Sequence, residues 1–142
     1  MENKAIAYFD ENGEVERYEP INQQRTLGTK WVATFQDGMG YLARQKLTGE
    51  QWSVYAYLVE HLNYDNWIRV RQQDICSDLG IDKSNVSKAL KRLIDVDVIT
   101  KGPMAGRYHT YRMNPRIAHR GSKHYASNIV QYDELRKKRE RS

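Results

Sequence analysis

The chain has little of what marks secreted or membrane proteins. Its 142 residues include one cysteine, Cys76, so an internal disulfide is excluded and a reducing compartment is favoured. No apolar run approaches the ~20 residues that a membrane-spanning helix needs. The first residues, MENKAIAYFDENGE, mix acidic side chains into a short apolar run and do not form a secretory signal. These absences predict a soluble cytoplasmic protein, and the length suits one domain with a core.

The sequence also lacks the motifs of common catalytic chemistry. Its four histidines are scattered, and none form the closely spaced pair that metal-dependent DNA-nicking enzymes use. There is no Gly-rich phosphate loop and no cysteine pair for zinc. A fold could gather His109, His119 and His124 into a metal site, but surface or DNA-facing roles are the simpler interpretation. We therefore expect no catalysis, no metal ion and no cofactor.

Positive charge is scarce in most of the chain and concentrated at its end. Residues 1–47 carry six basic and seven acidic side chains, residues 48–100 carry six and eight, and residues 101–142 carry eleven and three. The first hundred residues therefore sum to −3 and the last forty-two to +8. A solubilising tail would explain this pattern, but a basic end on a near-neutral body favours a polyanion, most often nucleic acid.

The first third of the chain predicts short elements. Two β-prone runs, Ala5–Phe9 and Val15–Tyr18, flank the turn dipeptide Asn12-Gly13, which is typical of a hairpin. After it the sequence predicts a polar loop over Pro20–Gly28, a strand over Trp31–Phe35, a chain break at Gly38–Gly40 and a short helix over Tyr41–Lys46.

A stronger helix signal begins at Thr48. The tetrapeptide Thr48-Gly-Glu-Gln51 is a capping box. The Thr48 hydroxyl can accept a hydrogen bond from the Gln51 backbone amide, and the Gln51 side chain can accept one from the Thr48 backbone amide. We predict a helix over Glu50–Leu62, with its apolar face formed by Trp52, Tyr55, Val59 and Leu62 and by the adjacent Ala56 and Leu58. The alternating WIRVR segment, Trp67–Arg71, then predicts a strand.

The second half of the chain predicts two helices, a strand pair and a last helix. The helices cover Gln72–Leu79 and Ser84–Ile94. The strands cover Val98–Lys101 and Tyr108–Met113, joined by the turn-rich GPMAGR and ended by Asn114-Pro115. Ile117–Ser127 is weakly patterned, and Asn128–Arg141 predicts a helix whose apolar residues are Ile129, Val130, Tyr132 and Leu135 and which ends in KKRER.

Together these elements predict an α+β chain, mainly α with a small β component. The order helix, strand, helix, turn, helix and strand pair is that of a winged helix-turn-helix. We expect an N-terminal β-hairpin arm over residues 1–30, the winged helix-turn-helix domain over residues 31–122, and a basic C-terminal helix over residues 123–142.

Gly80 supports the helix-turn-helix interpretation. Two helices that meet at a steep angle need a sharp turn, and the residue after the first helix often takes a positive φ, which suits glycine. Ile81 can fill the gap, and Asp82 or Ser84 can cap the second helix. Cys76, four residues earlier, is small enough for the inner face. A generic helical hairpin would also use such a glycine, but it would not require the strand pair that follows.

Polar side chains occupy the outward face of the second helix, because Val86, Leu90 and Leu93 point inward. Ser and Asn can bond base edges and Lys can reach guanine acceptors or phosphates, while the positive end of the helix dipole favours an anion. The strand pair, or wing, adds basic and aromatic side chains. The residues expected to contact DNA are Lys83, Ser84, Asn85, Ser87, Lys88 and Lys91 on the helix, and Lys101, Arg107, Tyr108, His109 and Arg112 on the wing.

Three segments resemble the RepL family of plasmid replication proteins, which are winged-helix proteins of bacterial plasmids and phages. They are Leu47–Asn66 (LTGEQWSVYAYLVEHLNYDN), the helix-turn-helix, and Tyr111–Ser122 (YRMNPRIAHRGS), the most specific of the three. The resemblance covers residues 31–122 and leaves the N-terminal hairpin and the C-terminal helix outside. The helix-turn-helix alone is also similar to MarR-type regulators. The resemblance implies binding to double-stranded DNA at a plasmid or phage origin.

Other functions remain open on the residues alone. A winged-helix transcription regulator, including an autoregulatory one, needs the same DNA contacts as an initiator. A protein-interaction module without DNA fits the basic C-terminal third less well. Ligand sensing would need a pocket from Trp31, Trp52 and Trp67, which we expect in the core. We expect a homodimer, with Tyr132 and Leu135 either pairing across a two-fold axis or docking on their own domain, and host replication proteins as further partners.

Overall fold

The computed structural model describes residues 5–20 and 30–141. They divide into two compact units, one ending at Trp31 and the other beginning at Val32. In the first unit, strands β1 (Ala5–Phe9) and β2 (Val15–Pro20) pair antiparallel, which confirms the predicted hairpin. The predicted loop over Pro20–Gly28 lies outside the described residues, except that Pro20 itself ends β2.

The second unit combines helices with two small antiparallel sheets, which gives the chain an α+β architecture. Its elements are β3 (Val32–Thr34), α1 (Gln36–Ala43), α2 (Gly49–Glu60), β4 (Trp67–Ile68), α3 (Gln72–Leu79), α4 (Lys83–Asp95), β5 (Ile99–Ala105), β6 (Tyr108–Met113), β7 (Ala118–Arg120) and α5 (Tyr125–Arg141). Strands β4, β6 and β5 form one antiparallel sheet in that order, and β3 pairs with β7 in another.

Helix α2 begins with the predicted capping box. Thr48 Oγ1 accepts a hydrogen bond from the Gln51 amide at 3.2 Å, and Gln51 Oε1 accepts one from the Thr48 amide at 3.0 Å. The buried face is shifted from the predicted one. Within the helix the buried residues are Val54, Tyr55, Tyr57 and Leu58, whereas Ala56 is exposed and Trp52 and Val59 are only half-buried.

The core of the second unit lies between α2, α3, α4 and the β4–β6–β5 sheet. It contains Leu58, Ile68, Ile75, Val86, Leu93, Ile99 and Met113, all with fully covered side chains. The expectation that all three tryptophans belong to a core is wrong for Trp31, which is 41% exposed, while Trp52 and Trp67 are half-buried.

Helix α1 runs through the predicted chain break. Gly38 and Gly40 are helical, so the break at Gly38–Gly40 is wrong and the helix begins five residues before Tyr41. The physical reason is close packing rather than a turn. A Cβ at Gly38 would lie 2.5 Å from the Arg116 carbonyl oxygen and 2.9 Å from Ile117 Cα. The glycine therefore lets α1 approach the backbone that leads into β7.

Three further boundaries differ from the prediction. Strand β5 continues through Gly102 and Pro103 of the predicted GPMAGR turn, and only Gly106 and Arg107 form the turn. The strand can include the proline because its register with β6 shifts between Lys101 and Met104. Strand β4 is limited to Trp67–Ile68. The weakly patterned Ile117–Ser127 contains β7 and the start of α5, since a three-residue strand is too short to show a period.

The buried Asn66 joins three strands through its side chain. It adopts a positive φ of 59°, and its Nδ2 donates to the carbonyl oxygens of Met113 (3.2 Å) and Ala118 (2.9 Å). Its Oδ1 accepts from the Arg120 amide at 3.0 Å. These bonds satisfy backbone groups of β6 and β7 beside the start of β4.

Helix α5 docks on its own unit. The Tyr132 side chain is fully buried, and its hydroxyl donates to Asp97 Oδ1 at 2.7 Å. Arg136 Nη1 lies 2.9 Å from Asp97 Oδ2, and Arg116 forms a two-pronged pair with Asp133. Of the two arrangements that the sequence leaves open for Tyr132, docking within the domain is therefore the one observed.

The α3–α4 connection has the predicted left-handed residue. Gly80 has φ 64° and ψ 35°, and its amide and that of Ile81 donate to the Cys76 carbonyl. Ile81 is buried, and Cys76 is half-buried against the core. Asp82 occupies the N-cap position of α4, but its side chain accepts no backbone amide.

We predict that Gly80→Val lowers the free energy of unfolding by about 1–3 kcal/mol, since a β-branched residue is strained at positive φ. A Cβ at Gly80 would meet nothing within 4 Å, so the loss reflects backbone conformation and not crowding. Gly49→Ala is the matched control, because Gly49 also has open space but opens a helix without a positive φ. Urea denaturation measures both, and equal stability of Gly80→Val and wild type would contradict the account.

Candidate nucleic-acid interface

Helix α4 presents a polar face to solvent from Lys83 to Lys91. Lys83, Ser84, Ser87, Lys88 and Lys91 are exposed, whereas Val86, Ala89, Leu90 and Leu93 are buried. This separation of polar and apolar residues follows the helical period. The outward face therefore carries three lysines and two hydroxyls on a helix whose inner face is fixed in the core.

The first turn of α4 is suited to an anion. It contains no acidic residue, and its unpaired backbone amides carry the positive end of the helix dipole. Asp82 is the nearest carboxylate, and its Oδ2 lies 3.4 Å from Asn85 Nδ2. Asn85 is half-buried beside it, so its amide is restrained and only part of it faces solvent.

A groove of about 560 Å³ lies between the start of α3, the start of α4 and the β5–β6 turn. We call it the turn groove. Four residues expected to contact DNA line it, namely Lys83, Arg107, Tyr108 and His109, together with Arg71, Gln72 and Gln73. Arg107 and His109 are exposed and Tyr108 is half-buried. The turn groove is therefore bordered by basic side chains from three elements.

A second groove, of about 360 Å³, follows the later part of α4 and is called the helix groove. Ser87, Lys91 and Lys101 from the expected set line it, with Arg139 of α5 at one end. Gln72 and Tyr111 line both grooves. Ser87 Oγ lies 3.0 Å from Gln72 Oε1, and Gln72 Nε2 lies 3.5 Å from the Tyr111 hydroxyl, so polar contacts join α4, α3 and β6.

Arg112 does not belong to this surface, and its expected contact with DNA is contradicted by its burial. The residue is 4% exposed, its Nε donates to the Asp65 carbonyl oxygen at 3.1 Å, and its guanidinium carbon lies 4.5 Å from the Trp67 ring centroid. Burial lowers the pKa of Arg112, against the attraction of Asp65. The error arises because β4 pairs with β6 beside Arg112 and brings the Trp67 ring and the Asp65 carbonyl onto its side chain.

The sequence did not point to several residues of the grooves, among them Arg71, Gln72, Gln73, Tyr111 and Arg139. Arg71, Gln72 and Gln73 stand where a predicted strand passes into a helix, so their shared position beside the wing is a product of the fold. Arg71 makes a two-pronged pair with Asp74, and the hydrogen bonds from this carboxylate raise the pKa of Arg71. The negative charge of Asp74 offsets the positive charge that Arg71 brings to the groove. Arg139 belongs to the C-terminal helix, and only its docking brings it to α4.

Some of the basic side chains of helix α5 bond to other parts of the fold. Arg136 pairs with Asp97, and Arg139 Nη1 donates to the Ile94 carbonyl oxygen at 3.2 Å. Lys137 and Lys138 are exposed. Part of the charge that suggested a polyanion partner therefore holds α5 in place, and part of it remains on the surface.

His119 is buried, with Nδ1 3.0 Å from the Gly121 carbonyl oxygen and Nε2 3.0 Å from Asn128 Nδ2. Within residues 5–20 and 30–141, no three His, Cys, Asp or Glu side chains are placed to hold a metal ion. Over the same residues, no helix is long and apolar enough to cross a membrane.

Arg107 and Arg112 provide a matched pair for testing the surface. We predict that Arg107→Ala leaves the urea midpoint unchanged and reduces the salt dependence of DNA binding by about 0.9 in the log–log slope, as expected for one phosphate contact. Arg112→Ala should destabilise the fold by roughly 1–3 kcal/mol, since it removes a buried side chain and leaves the partly buried Asp65 carbonyl without its donor. Reversed behaviour of the two variants would contradict the assignment.

Comparison with known proteins identifies a family. Residues 6–142 match the sequence profile of the family described as Firmicute plasmid replication protein (RepL). The match is longer than the resemblance over residues 31–122, since it includes most of the N-terminal hairpin and the whole of α5. No curated protein and no solved structure matches the chain. The chain belongs to the RepL family of plasmid replication proteins.

Proposed function

We propose that this protein binds double-stranded DNA at the replication origin of a plasmid and initiates replication there. The observation that carries the proposal is the outward face of α4, where three lysines and two hydroxyls stand beside two basic grooves in a chain of this family. The proposed site of action is the bacterial cytoplasm, where plasmid DNA is found.

The second unit supports a winged helix-turn-helix assignment. Its order α2, β4, α3, α4, β5 and β6, with the three strands joined in one antiparallel sheet, is the order of that fold. On this assignment α4 is the recognition helix, and the β5–β6 hairpin is the wing. A recognition helix enters the major groove with its N-terminal turns, and the wing then lies along the neighbouring backbone.

Roles follow from the chemistry of each side chain. Asn85 and Lys88 lie on the first turns of α4, where an amide can pair with adenine and an ammonium can reach the acceptors of guanine. Ser84 offers a shorter hydroxyl contact beside them. Lys83, Lys91, Lys101, Arg107 and His109 border the grooves, a position that suits phosphate oxygens. Base contacts therefore select the sequence, and groove contacts supply affinity that depends on salt.

Initiation by recruitment fits this chain better than strand cleavage. A nicking enzyme needs a nucleophile and a metal site, and the sequence offers no closely spaced histidine pair for one. We propose that the protein holds its site while host replication proteins open the duplex. One such domain buries only about 600–1,000 Å² of protein on DNA, so stable occupancy favours a homodimer or several protomers on adjacent sites.

A minimal plasmid tests the function directly. It carries this gene and its flanking DNA, a selectable marker and no other origin. We predict stable replication with wild type and with Lys123→Ala, an exposed lysine that lines neither groove. The double variant Asn85→Ala with Lys88→Ala should lose replication at unchanged protein level and unchanged melting temperature.

Two outcomes would contradict the proposal. Replication that persists in the double variant would show that Asn85 and Lys88 of α4 do not recognise the origin. No replication with wild type, combined with tight binding to the promoter of its own gene, would identify an autoregulatory transcription regulator of the same fold instead.

A further inference from the structure

A third groove, of about 490 Å³, lies between the α2–β4 connection and the start of α5. Its lining includes Asn63, Tyr64, Arg69, His124, Ser127 and Gln131, and we call it the tyrosine groove. It shares no lining residue with the turn groove or the helix groove, and none of its residues belongs to the set expected to contact duplex DNA. The tyrosine groove is therefore a separate candidate site on the second unit.

The ring of Tyr64 is exposed and yet held in place. Tyr64 is 62% exposed, and the guanidinium carbon of Arg120 lies 4.8 Å from its ring centroid. The Tyr64 carbonyl oxygen accepts a hydrogen bond from Asn128 Nδ2 at 3.2 Å. A cation over an aromatic ring covers one face of it. The high exposure therefore comes from the other face and the ring edge, which are open to solvent.

The support under Tyr64 is itself fixed by the fold. The backbone amide of Arg120 donates to the buried Asn66 side chain at 3.0 Å, and Arg120 Nη1 donates to the Leu62 carbonyl oxygen at 3.0 Å. Asn128 is buried and joins α5 to the α2–β4 connection. A ring that is already held loses little conformational freedom when a ligand stacks on it. The open face of Tyr64 is therefore a preorganised platform for a flat ligand.

Charge and polarity around the ring favour a polar anion over an apolar ligand. Among the described residues that line the tyrosine groove, Asp65 is the one carboxylate. Its Oδ2 lies 3.9 Å from Nη2 of the exposed Arg69, so these two charges offset each other, and Arg120 leaves the site positive. The amide side chains of Asn63 and Gln131 are exposed, and each can both donate and accept hydrogen bonds.

A single-stranded polynucleotide has the chemistry that fits these features. Each base offers a flat face for stacking on an aromatic ring and an edge for hydrogen bonds, and each phosphate offers a negative charge for an arginine. The bases of a duplex are stacked on each other, so their faces cannot reach Tyr64 unless they are turned out of the helix. Acidic side chains of a protein would supply the charge but not a flat face with donors and acceptors along its edge.

We propose that the tyrosine groove binds single-stranded nucleic acid, with one base stacked on the open face of Tyr64 and a neighbouring phosphate at Arg69. Asn63 and Gln131 line the same groove and supply hydrogen bonds to the base edge. In an initiator this site would hold one strand of the opened origin, and only that use rests on the proposed function. The binding itself is measured without an origin sequence.

Fluorescence anisotropy of the full chain with a labelled oligothymidylate tests the site, because this strand forms no base pairs of its own. We expect wild type to bind it. Tyr64→Leu should bind at least about fivefold more weakly, since it removes one base–aromatic stack. Tyr64→Phe should bind like wild type, because it keeps the ring and loses only the hydroxyl. Equal melting temperatures of the three proteins establish that folded chains are compared.

Salt dependence tests the phosphate contact at Arg69. We expect Arg69→Ala to reduce the log–log slope of oligothymidylate binding by about 0.7, the value for one phosphate contact on a single strand. Lys83→Ala is the control, because Lys83 is an exposed cation that lines the turn groove and not the tyrosine groove. It should leave this slope unchanged, and equal slopes for Arg69→Ala and wild type would contradict the phosphate contact.

A labelled oligouridylate distinguishes RNA from DNA as the ligand, and weaker binding of either strand by Tyr64→Leu supports the site. No binding of either oligonucleotide by wild type at micromolar concentration would overturn the proposal, as would a Tyr64→Leu variant that binds both like wild type. Equal losses in Tyr64→Leu and in the double variant Asn85→Ala with Lys88→Ala would place the single strand on α4 instead. Failure of the proposed function is seen separately, as absence of wild-type binding to the origin duplex, for which Tyr64→Leu should keep the wild-type affinity.

Discussion

The hydrogen bonds of Asp97 hold helix α4 in its position. Asp97 follows α4 with a positive φ of 63°, and its carbonyl oxygen accepts from Asn114 Nδ2 at the end of β6. Its carboxylate accepts from Tyr132 and Arg136 of α5. Burial first, and then the Asp97 charge, raises the pKa of Tyr132, so the hydroxyl stays a donor over the whole physiological range. One residue therefore fixes α4 relative to both the wing and the last helix.

The basic residues of the segment 101–142 fall into two groups, those that stabilise the fold and those that remain on the surface. Arg112, Arg116 and Arg136 bind Asp65, Asp133 and Asp97 respectively and stabilise the fold. Lys101, Arg107, Lys137 and Lys138 remain on the surface. Arg139 does both, since it bonds the Ile94 carbonyl and lines the helix groove. The excess of positive charge is thus a poorer guide to the proposed DNA-binding surface than the identity of the side chains around the grooves.

The parts of the fold that could be predicted are those that local rules determine. The capping box of Thr48 and Gln51, the left-handed Gly80 and the apolar face of α4 each depend on residues a few positions apart, and all three are observed. Long-range packing determines what was missed. Helix α1 contains Gly38 because the Arg116 backbone lies against it and leaves no room for a side chain. Strand β7 forms because β3 pairs with it, and Arg112 is buried because Trp67 covers it. The same limit explains why the turn groove, assembled from three elements, was predicted only in part.

Base reading by the first turns of α4 is the central claim of this account. The most direct measurement is the affinity of wild type, Asn85→Ala and Lys88→Ala for origin DNA and for random duplex of equal length, at one salt concentration. The account predicts a loss of roughly 1–3 kcal/mol on the origin and a much smaller loss on random DNA for each variant. Equal losses on both DNAs would show that these side chains contact only the phosphate backbone and would contradict the assignment of α4 as the recognition helix.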